Sequence, residues 1–199
     1  MAVTPTHVCN LALARLGEKR IMDMNEATTA GRACKLHFET ARDAVLRSHR
    51  WNFAQKRATL SKLVTAPAFG WASQFTLPAD CLRVLEVNNS EFEMHQGNRW
   101  EVEGRVLLSN EDSVELVYTG RTADSTVWDS LFVEALATYL AARLSETMRG
   151  DTSRTAELIE EFAKMTGPVA RRVDANETNR LRGRIDLNSP VIAARHRGV

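Results

Sequence analysis

The sequence predicts an α+β protein in which helices near both ends of the chain enclose a run of short strands. Apolar residues recur at helical spacing in the first 55 residues and again after residue 122, whereas between these regions they alternate with polar residues. We therefore expect a bundle of four helices built from residues 1–55 and 123–178, with a small antiparallel β domain inserted at residues 56–122. An extended, basic C-terminal tail is expected at residues 179–199.

Two helices are expected in the first part of the chain. Thr4 and Pro5 supply an N-cap hydroxyl and a proline for the first helical position. Gly17 suits the C-terminal cap of the same helix. A second helix is expected over about residues 28–48, because its apolar side chains keep helical spacing.

The region between residues 56 and 122 has the pattern of short strands. Residues 82–87 form one such strand, and the apolar phase slips by one residue between Val84 and Leu85, which predicts a bulge or burial on both faces. The segment 103–105 separates two alternating stretches and is typical of a hairpin turn. We expect five or six strands in a small sheet or sandwich.

Helical periodicity returns after Asp124-Ser125, either of which could cap the third helix. Gly150-Asp151 is expected to end that helix. A fourth helix should run from about residue 153, with a kink or break at Gly167-Pro168. The apolar period disappears after Asn179, and the remaining residues therefore predict an extended tail.

Composition places the chain among soluble globular proteins. The 199 residues are 44% hydrophobic and 26% charged, which allows a sizeable core. No apolar run approaches the ~20 residues that a membrane-spanning helix needs. The N-terminus lacks the basic region of a signal peptide. We therefore expect no membrane association and synthesis in a reducing cytosol.

The sequence offers no motif for a cofactor or a metal. Cys9, Cys34 and Cys81 form no C-x-x-C pair. Cys34 and His37 lie three residues apart on the expected second helix, but zinc needs more ligands than these two. The glycines are isolated and form no phosphate-binding loop. We therefore expect neither a cofactor nor a bound metal.

The stretch TLPADCLRVLEV, residues 76–87, places an acid beside a thiol. A nucleophilic cysteine needs a lowered pKa, whereas the charge of Asp80 would raise the pKa of Cys81. The alternative is structural: Pro78 fixes the backbone, Asp80 accepts backbone N–H groups in an Asx-type turn, and Cys81 leads into the strand. We favour this turn and strand entry and expect no catalytic residue. A cysteine-dependent hydrolase is the weakest alternative.

The C-terminal tail is an anomaly in composition, because residues 179–199 carry five arginines and one aspartate. These arginines could contact nucleic-acid phosphates or the carboxylates of an acidic protein surface. The apolar residues between them favour extended docking on a protein partner, and a disordered terminus is the further alternative. The candidate docking residues are Arg180, Arg182, Arg184, Ile185, Leu187, Val191, Ile192, Arg195 and Arg197.

Two other groups of residues have both a structural and a functional interpretation. Trp51 and Phe53 are expected to pack the helices against the sheet, and the alternative is a platform on which bases stack. Glu157, Glu160 and Glu161 are expected to form a solvated helix face, because catalytic carboxylate pairs need two different environments.

Several stretches of the chain together resemble the tail tubular protein A family, the head-to-tail adaptors of short-tailed phages. They are VCNLALARLGEKRI (8–21), WNFAQKRATL (51–60), FGWASQFTLPADCLRVLEV (69–87), VELVYTGR (114–121) and DSLFVEALATYLAARL (129–144). Their order and spacing are similar to those of the family across roughly residues 5–150. Residues 150–199 resemble it only in character, as a helix followed by a basic tail.

The resemblance implies a virion structural protein without enzymatic activity that is assembled in the host cytoplasm into a ring, twelve-fold in the relatives. It implies that the helical bundle contacts the portal protein, that the C-terminal segment reaches into or along the portal, and that the β domain faces the tail nozzle protein. Double-stranded DNA would pass through the lumen without specific binding. The alternative is a nucleic-acid-binding accessory protein that acts through the basic tail and the region of Trp51.

Overall fold

The protein is α+β, as the sequence predicts. The computed structural model describes residues 3–88, 90–91 and 100–166. Its helices are α1 (Pro5–Arg15), α2 (Thr29–Ser48), α3 (Ser130–Arg149) and α4 (Thr152–Lys164). Its strands, which all lie between α2 and α3, are β1 (Gln55–Leu60), β2 (Ser73–Thr76), β3 (Cys81–Val87), β4 (Ser90–Glu91), β5 (Trp100–Glu103), β6 (Val106–Ser109) and β7 (Val114–Gly120).

The first two helices begin and end as the sequence predicts. The hydroxyl oxygen of Thr4 accepts a 3.1 Å hydrogen bond from the backbone N–H of His7, and that of Thr28 accepts one of 3.1 Å from Gly31. Both are N-cap contacts, which satisfy donors that the helix itself leaves free. Gly17 follows α1 with a φ of 68°, the left-handed conformation that glycine adopts most easily at a helix end.

The third helix begins later than predicted. The carboxylate of Asp124 caps only a short 3-10 turn (Ser125–Val127), and α3 is capped by Asp129, which accepts a 2.7 Å hydrogen bond from Leu131 N–H. Trp128 lies between them with an extended backbone, and its indole N–H donates to the carbonyl of Thr122. The prediction of a cap at Asp124-Ser125 was wrong because two aspartates five residues apart can each cap a turn.

The third and fourth helices meet at a two-residue corner. Gly150 ends α3 with a φ of 62°, and the carboxylate of Asp151 caps α4 by accepting a 2.9 Å hydrogen bond from Arg154 N–H. This confirms the predicted break at Gly150-Asp151. The predicted kink at Gly167-Pro168 and the predicted tail at residues 179–199 lie outside the described residues.

The helices share one apolar core. Helix α3 packs against α1, α2 and α4, and more than half of its residues are buried. Such a helix is stable only when other elements cover it on several sides. The largest fully buried side chains of this core are Val8, Leu13, Val45, Leu46, Phe132, Leu136, Leu140, Leu144 and Leu158.

The strands form two antiparallel sheets, with the orders β1-β7-β3-β4 and β2-β6-β5. Seven strands lie in the described ranges, rather than the five or six predicted. Side chains from both sheets contribute to a second apolar core, separate from that of the helices. Its fully buried members include Phe75, Leu107, Val114 and Leu116.

Two local features of the sheets confirm the sequence pattern. The pairing of β3 with β7 shifts between Val84 and Glu86, so Leu85 is the bulged residue that the slip in apolar phase predicts. A second shift lies between Cys81 and Arg83. Strands β5 and β6 form the predicted hairpin, whose turn contains Gly104 with a φ of 57°.

Polar contacts of arginine join the helices to the four-stranded sheet. Arg47 of α2 donates a 2.7 Å hydrogen bond to the carbonyl of Leu82 at the start of β3. Arg121, directly after β7, donates one of 2.7 Å to the carboxylate of Asp43. The start of β3 and the end of β7 therefore face α2, and the other end of β7, at Val114, points away from the helices.

None of the helices in the described part of the chain combines the length and the apolar character needed to cross a membrane.

Candidate interaction surface

The segment containing Pro78, Asp80 and Cys81 forms a turn that leads directly into β3. The backbone N–H of Cys81 donates a 2.9 Å hydrogen bond to the carbonyl of Pro78 and closes the turn. The guanidinium of Arg105, from the β5–β6 hairpin, donates to the carbonyls of both Pro78 and Cys81. Arg105 therefore ties the entry of β3 to the other sheet.

The carboxylate of Asp80 bonds to side chains of two neighbouring strands. It accepts hydrogen bonds of 2.7 Å from Lys56 Nζ and 3.2 Å from the hydroxyl of Tyr118. These side-chain partners act together with a smaller contribution from the backbone N–H of Asp80 itself. Burial acts to raise the pKa of Asp80, but the hydrogen bonds and charge of Lys56, with the Tyr118 hydroxyl, bring it below its ordinary value.

The thiol of Cys81 lies in an environment that disfavours its charged form. Its residue is 7% exposed, and burial raises the pKa of the thiol, against a smaller opposing effect of Arg105. A nucleophilic cysteine needs the opposite shift. The hydroxyl of Tyr118 behaves in the same way, since burial and the neighbouring charge of Asp80 raise its pKa to about 12.

Gly120 lies beside the side chains of Lys56 and Asp80, and the sequence pattern did not reveal this close approach. A Cβ atom at this position would lie 2.6 Å from Cδ of Lys56 and 3.2 Å from Oδ2 of Asp80. A larger residue here would push the flexible end of the Lys56 side chain away from Asp80. The contact is between residues distant in sequence, so the isolated glycine gave no signal of it.

Cys9 and Cys34 meet in the core of the helices, where both are fully buried. Hydrogen bonding to Cys34 and burial raise the pKa of Cys9. His37, the other candidate ligand, bonds instead to the hydroxyl of Thr147 at 2.7 Å. Within residues 3–88 and 100–166, no group of three or more His, Cys, Asp or Glu side chains is arranged to hold a metal ion.

The three glutamates of α4 have different partners, so they are more than a solvated face. Glu157 and Glu160 pair with residues of their own helix, Arg154 and Lys164. Glu161 instead accepts a 2.7 Å hydrogen bond from Arg15 of α1, and the same guanidinium bonds to Glu134 of α3 at 2.8 Å. The expectation of a purely solvated face was therefore wrong for Glu161.

Trp51 packs into the core of the helices, a few residues before β1 begins. It is 4% exposed, its ring centroid lies 5.3 Å from that of Phe132, and its indole N–H donates to the carbonyl of Val45 at 3.0 Å. Phe53 lies 5.1 Å from the same Phe132 ring. A base cannot stack on an indole that is enclosed in this way, so the geometry disfavours the alternative of a stacking platform.

The end of the β strands that points away from the helices carries an exposed apolar loop, residues 61–72. Val64 and Phe69 expose 104% and 88% of their surface, and Leu63 exposes 37%. They are three of the eight large hydrophobic residues that are exposed in the described part of the chain. Large apolar side chains clustered in this way typically mark a site of protein interaction.

Hydrogen bonds fix this apolar loop at its base. The backbone N–H of Leu63 donates to the carbonyl of Gln74 at 2.9 Å, and the side-chain amide of Gln74 donates to the carbonyl of Thr65 at 2.6 Å. The N–H of Ala72 donates to the side chain of Asn110 at 3.0 Å. The exposed side chains are therefore presented by a folded loop.

An acidic loop, residues 110–113, lies next to the apolar loop. It exposes Glu111 and Asp112, and Asp112 pairs with Lys62 at 3.3 Å. Asn88 holds its far side by donating a 3.1 Å hydrogen bond to the carbonyl of Ser113. We refer to residues 61–72 and 110–113 together as the tip.

The sequence reasoning missed the tip. Residues 63–72 are ten consecutive residues without a charge and contain Pro67 and Gly70. An uncharged stretch interrupted by a proline and a glycine is a loop whose apolar side chains have no periodicity, and this signal could have identified it. The candidate docking residues Arg180, Arg182, Arg184, Ile185, Leu187, Val191, Ile192, Arg195 and Arg197 lie outside the described residues.

Comparison with models of protein families finds no match for this chain, and comparison with curated proteins finds none either.

Proposed function

We propose that the protein is a virion structural protein, a ring-forming head-to-tail adaptor that joins the portal of a short-tailed phage to its tail nozzle. In this proposal the subunits assemble in the host cytoplasm and line a channel for double-stranded DNA. The DNA is retained after packaging and passes through at ejection. The protein works through its shape and contacts and carries out no chemical reaction of its own.

The observation that supports this proposal most is that the chain has two different ends. One end of the strands, formed by the start of β3 and the end of β7, lies against α2, where Arg47 and Arg121 make their contacts. The tip lies at the opposite end of the same strands, beyond Leu60 and Val114. An adaptor must present one surface to each of two unlike partners, and a helical end and a β end with separate cores meet that need.

The resemblance of residues 5–150 to the tail tubular protein A family supports the same function. It leads us to propose that the helices form a bundle that contacts the portal and that the β strands face the nozzle. The arginines of the C-terminal tail, with their neighbouring aliphatic residues, are proposed to dock on the portal, since a guanidinium pairs well with carboxylates.

Subunits of a closed ring need two different, complementary flanks, because each copy contacts its neighbours through unlike surfaces. The chain carries 26 basic and 25 acidic residues, so it can carry flanks of opposite charge while its net charge stays near zero. Charge balance of this kind is compatible with tight packing of many copies around an axis.

Assembly with the cognate portal tests the proposal. Light scattering and negative-stain electron microscopy should show a ring of this protein seated on the portal. A protein that stays monomeric in the presence of the portal, with no added density, would contradict it.

A charge-matched pair of variants tests the docking residues. Changing Arg182, Arg184 and Arg195 to serine should weaken binding to the portal at least about tenfold, in keeping with the loss of charge-assisted hydrogen bonds. The control removes three exposed cations elsewhere, at Lys19, Arg20 and Arg57, and should leave portal binding unchanged. Equal effects of the two variants would show that only net charge matters.

A further inference from the structure

We propose that the tip binds the C-terminal segment 180–199 of this chain. The inference concerns the free protein and does not depend on the proposed function. It rests on the exposed side chains of the tip, on the charges beside them, and on the composition and length of the chain that follows α4.

The tip combines an apolar surface with negative charge. Val64 and Phe69 are the most exposed of its apolar side chains, and the exposed carboxylates of Glu111 and Asp112 lie on the adjoining loop. The hydrogen bond from Ala72 to Asn110 holds the two loops side by side. Lys62 supplies one positive charge against these two carboxylates, so the tip carries a net negative charge.

The segment 180–199 has the complementary composition. It contains five arginines and one aspartate together with several aliphatic residues. In RLRGRIDL (180–187), arginines and one aspartate occupy the even positions, and the odd positions carry three aliphatic residues and one glycine. In an extended conformation these two sets point to opposite sides. The aliphatic side chains could therefore lie on Phe69 and Val64, while the long arginine side chains reach the carboxylates at the edge.

The chain between α4 and the segment is longer than the strands that it must pass to reach the tip. The described residues end at Thr166, and residues 167–179 separate that point from the segment. Thirteen residues span at most about 43 Å when extended, at roughly 3.3 Å a residue. The strands that separate the tip from the helices have at most seven residues, or about 23 Å. Because the segment is tethered, its effective concentration at the tip would be high.

The acidic edge also selects against other occupants. Nucleic acid and anionic lipid would both be repelled by Glu111 and Asp112, since neither supplies positive charge. An arginine-rich peptide with aliphatic residues satisfies both the charge and the apolar surface of the tip. In the proposed adaptor, the same segment would have to leave the tip before it could dock on a portal.

Limited proteolysis of the full-length protein, without any partner, tests the contact. Trypsin cleaves after arginine, and the cleavage rate follows the population of chains in which the site is free. Mass spectrometry of the products gives the rate after Arg180, Arg182 and Arg184. We expect Val64→Ser/Phe69→Ser to raise that rate at least about fivefold, and Glu111→Lys/Asp112→Lys to raise it as well.

The matched control removes two exposed apolar side chains elsewhere. Met22 and Leu36 are 92% and 68% exposed in the helical part of the chain, and Met22→Ser/Leu36→Ser should leave the cleavage rate unchanged. Circular dichroism melting confirms that each variant is folded. Cleavage of the tail at the same rate in the wild type and in both tip variants would overturn the proposal. So would an equal acceleration by the control.

Discussion

The guanidinium of Arg15 in α1 donates a 2.7 Å hydrogen bond to the carboxylate of Glu161 in α4, although the two residues are 146 positions apart. The same group bonds to Glu134 of α3. One arginine therefore holds three helices together and separates two carboxylates that would otherwise repel each other.

Replacing Arg15 by alanine should destabilise the protein by about 1 kcal/mol, because two half-exposed carboxylates then lose the partner that joins them. Urea denaturation measures the change. The control is Lys164→Ala, which removes an ion pair within a single helix, to Glu160, whose partners are both well exposed. That change should have no measurable effect, and an equal loss in the two variants would contradict the role given to Arg15.

The stability of the protein should fall in acid partly through Asp80. Its pKa in the folded protein lies below the ordinary value of 3.8, so the folded state binds fewer protons than the unfolded state as the pH falls. The stabilisation that Asp80 provides is therefore complete above the ordinary pKa of 3.8 and is lost as the pH drops through the lower pKa of the folded protein. Denaturation curves from pH 7 downwards should show a smaller acid loss for Asp80→Asn than for the wild type, and identical slopes would contradict this.

The hydroxyl of Tyr118 should lose its proton at a higher pH than an ordinary tyrosine, partly because of its contact with Asp80. Burial and the charge of Asp80 raise the pKa of Tyr118 to about 12. Since this raised value belongs to the folded state, the stabilisation is complete below the ordinary value of 10 and is lost as the pH rises through about 12. Ultraviolet titration in a Tyr139→Phe background isolates Tyr118. Adding Asp80→Asn should lower its pKa, whereas an unchanged pKa would show that the contact has no electrostatic effect.

Gly120→Ala should destabilise the protein by at most about 1 kcal/mol, because the flexible end of Lys56 can move aside and what is lost is a half-exposed ion pair with Asp80. The new Cβ would lie 2.6 Å from Cδ of Lys56, so the lysine must move away from Asp80. A double-mutant cycle provides the control, because in a Lys56→Ala background the same substitution should cost much less. An equal loss of stability in both backgrounds would show that the strain lies in the backbone and not in the contact with Lys56.

The thiols should be unreactive in the folded protein. Cys9 and Cys34 are fully buried, and Cys81 is 7% exposed with a raised pKa, so few thiolates are available at neutral pH. Modification by a thiol reagent should be slow without denaturant and fast in urea. A Cys81 that reacts faster than free cysteine under native conditions would instead support the hydrolase alternative.

Features encoded by neighbouring residues were predictable from the sequence. The bulge at Leu85 follows from a slip of apolar phase within one strand, and the cap at Thr4 follows from a hydroxyl directly before a proline at the first helical position. The start of α3 was not predictable in the same way, since Asp124 and Asp129 both have the chemistry of a cap.

Contacts between distant residues could not be predicted. Nothing next to Arg15 indicates Glu161, and nothing next to Gly120 indicates Lys56. The side-chain partners of Asp80 could not be predicted for the same reason, because Lys56 and Tyr118 lie on other strands, distant in sequence. The domain boundaries and the role of the C-terminal tail stay predictions.

The join between the helices and the four-stranded sheet has a consequence for how the protein unfolds. It includes the exposed contacts of Arg47 with Leu82 and of Arg121 with Asp43. Concentrated salt weakens exposed charge interactions but leaves an apolar core intact. Raising the ionic strength should therefore reduce the cooperativity between the two cores before it reduces the stability of either, so that a single thermal transition separates into two.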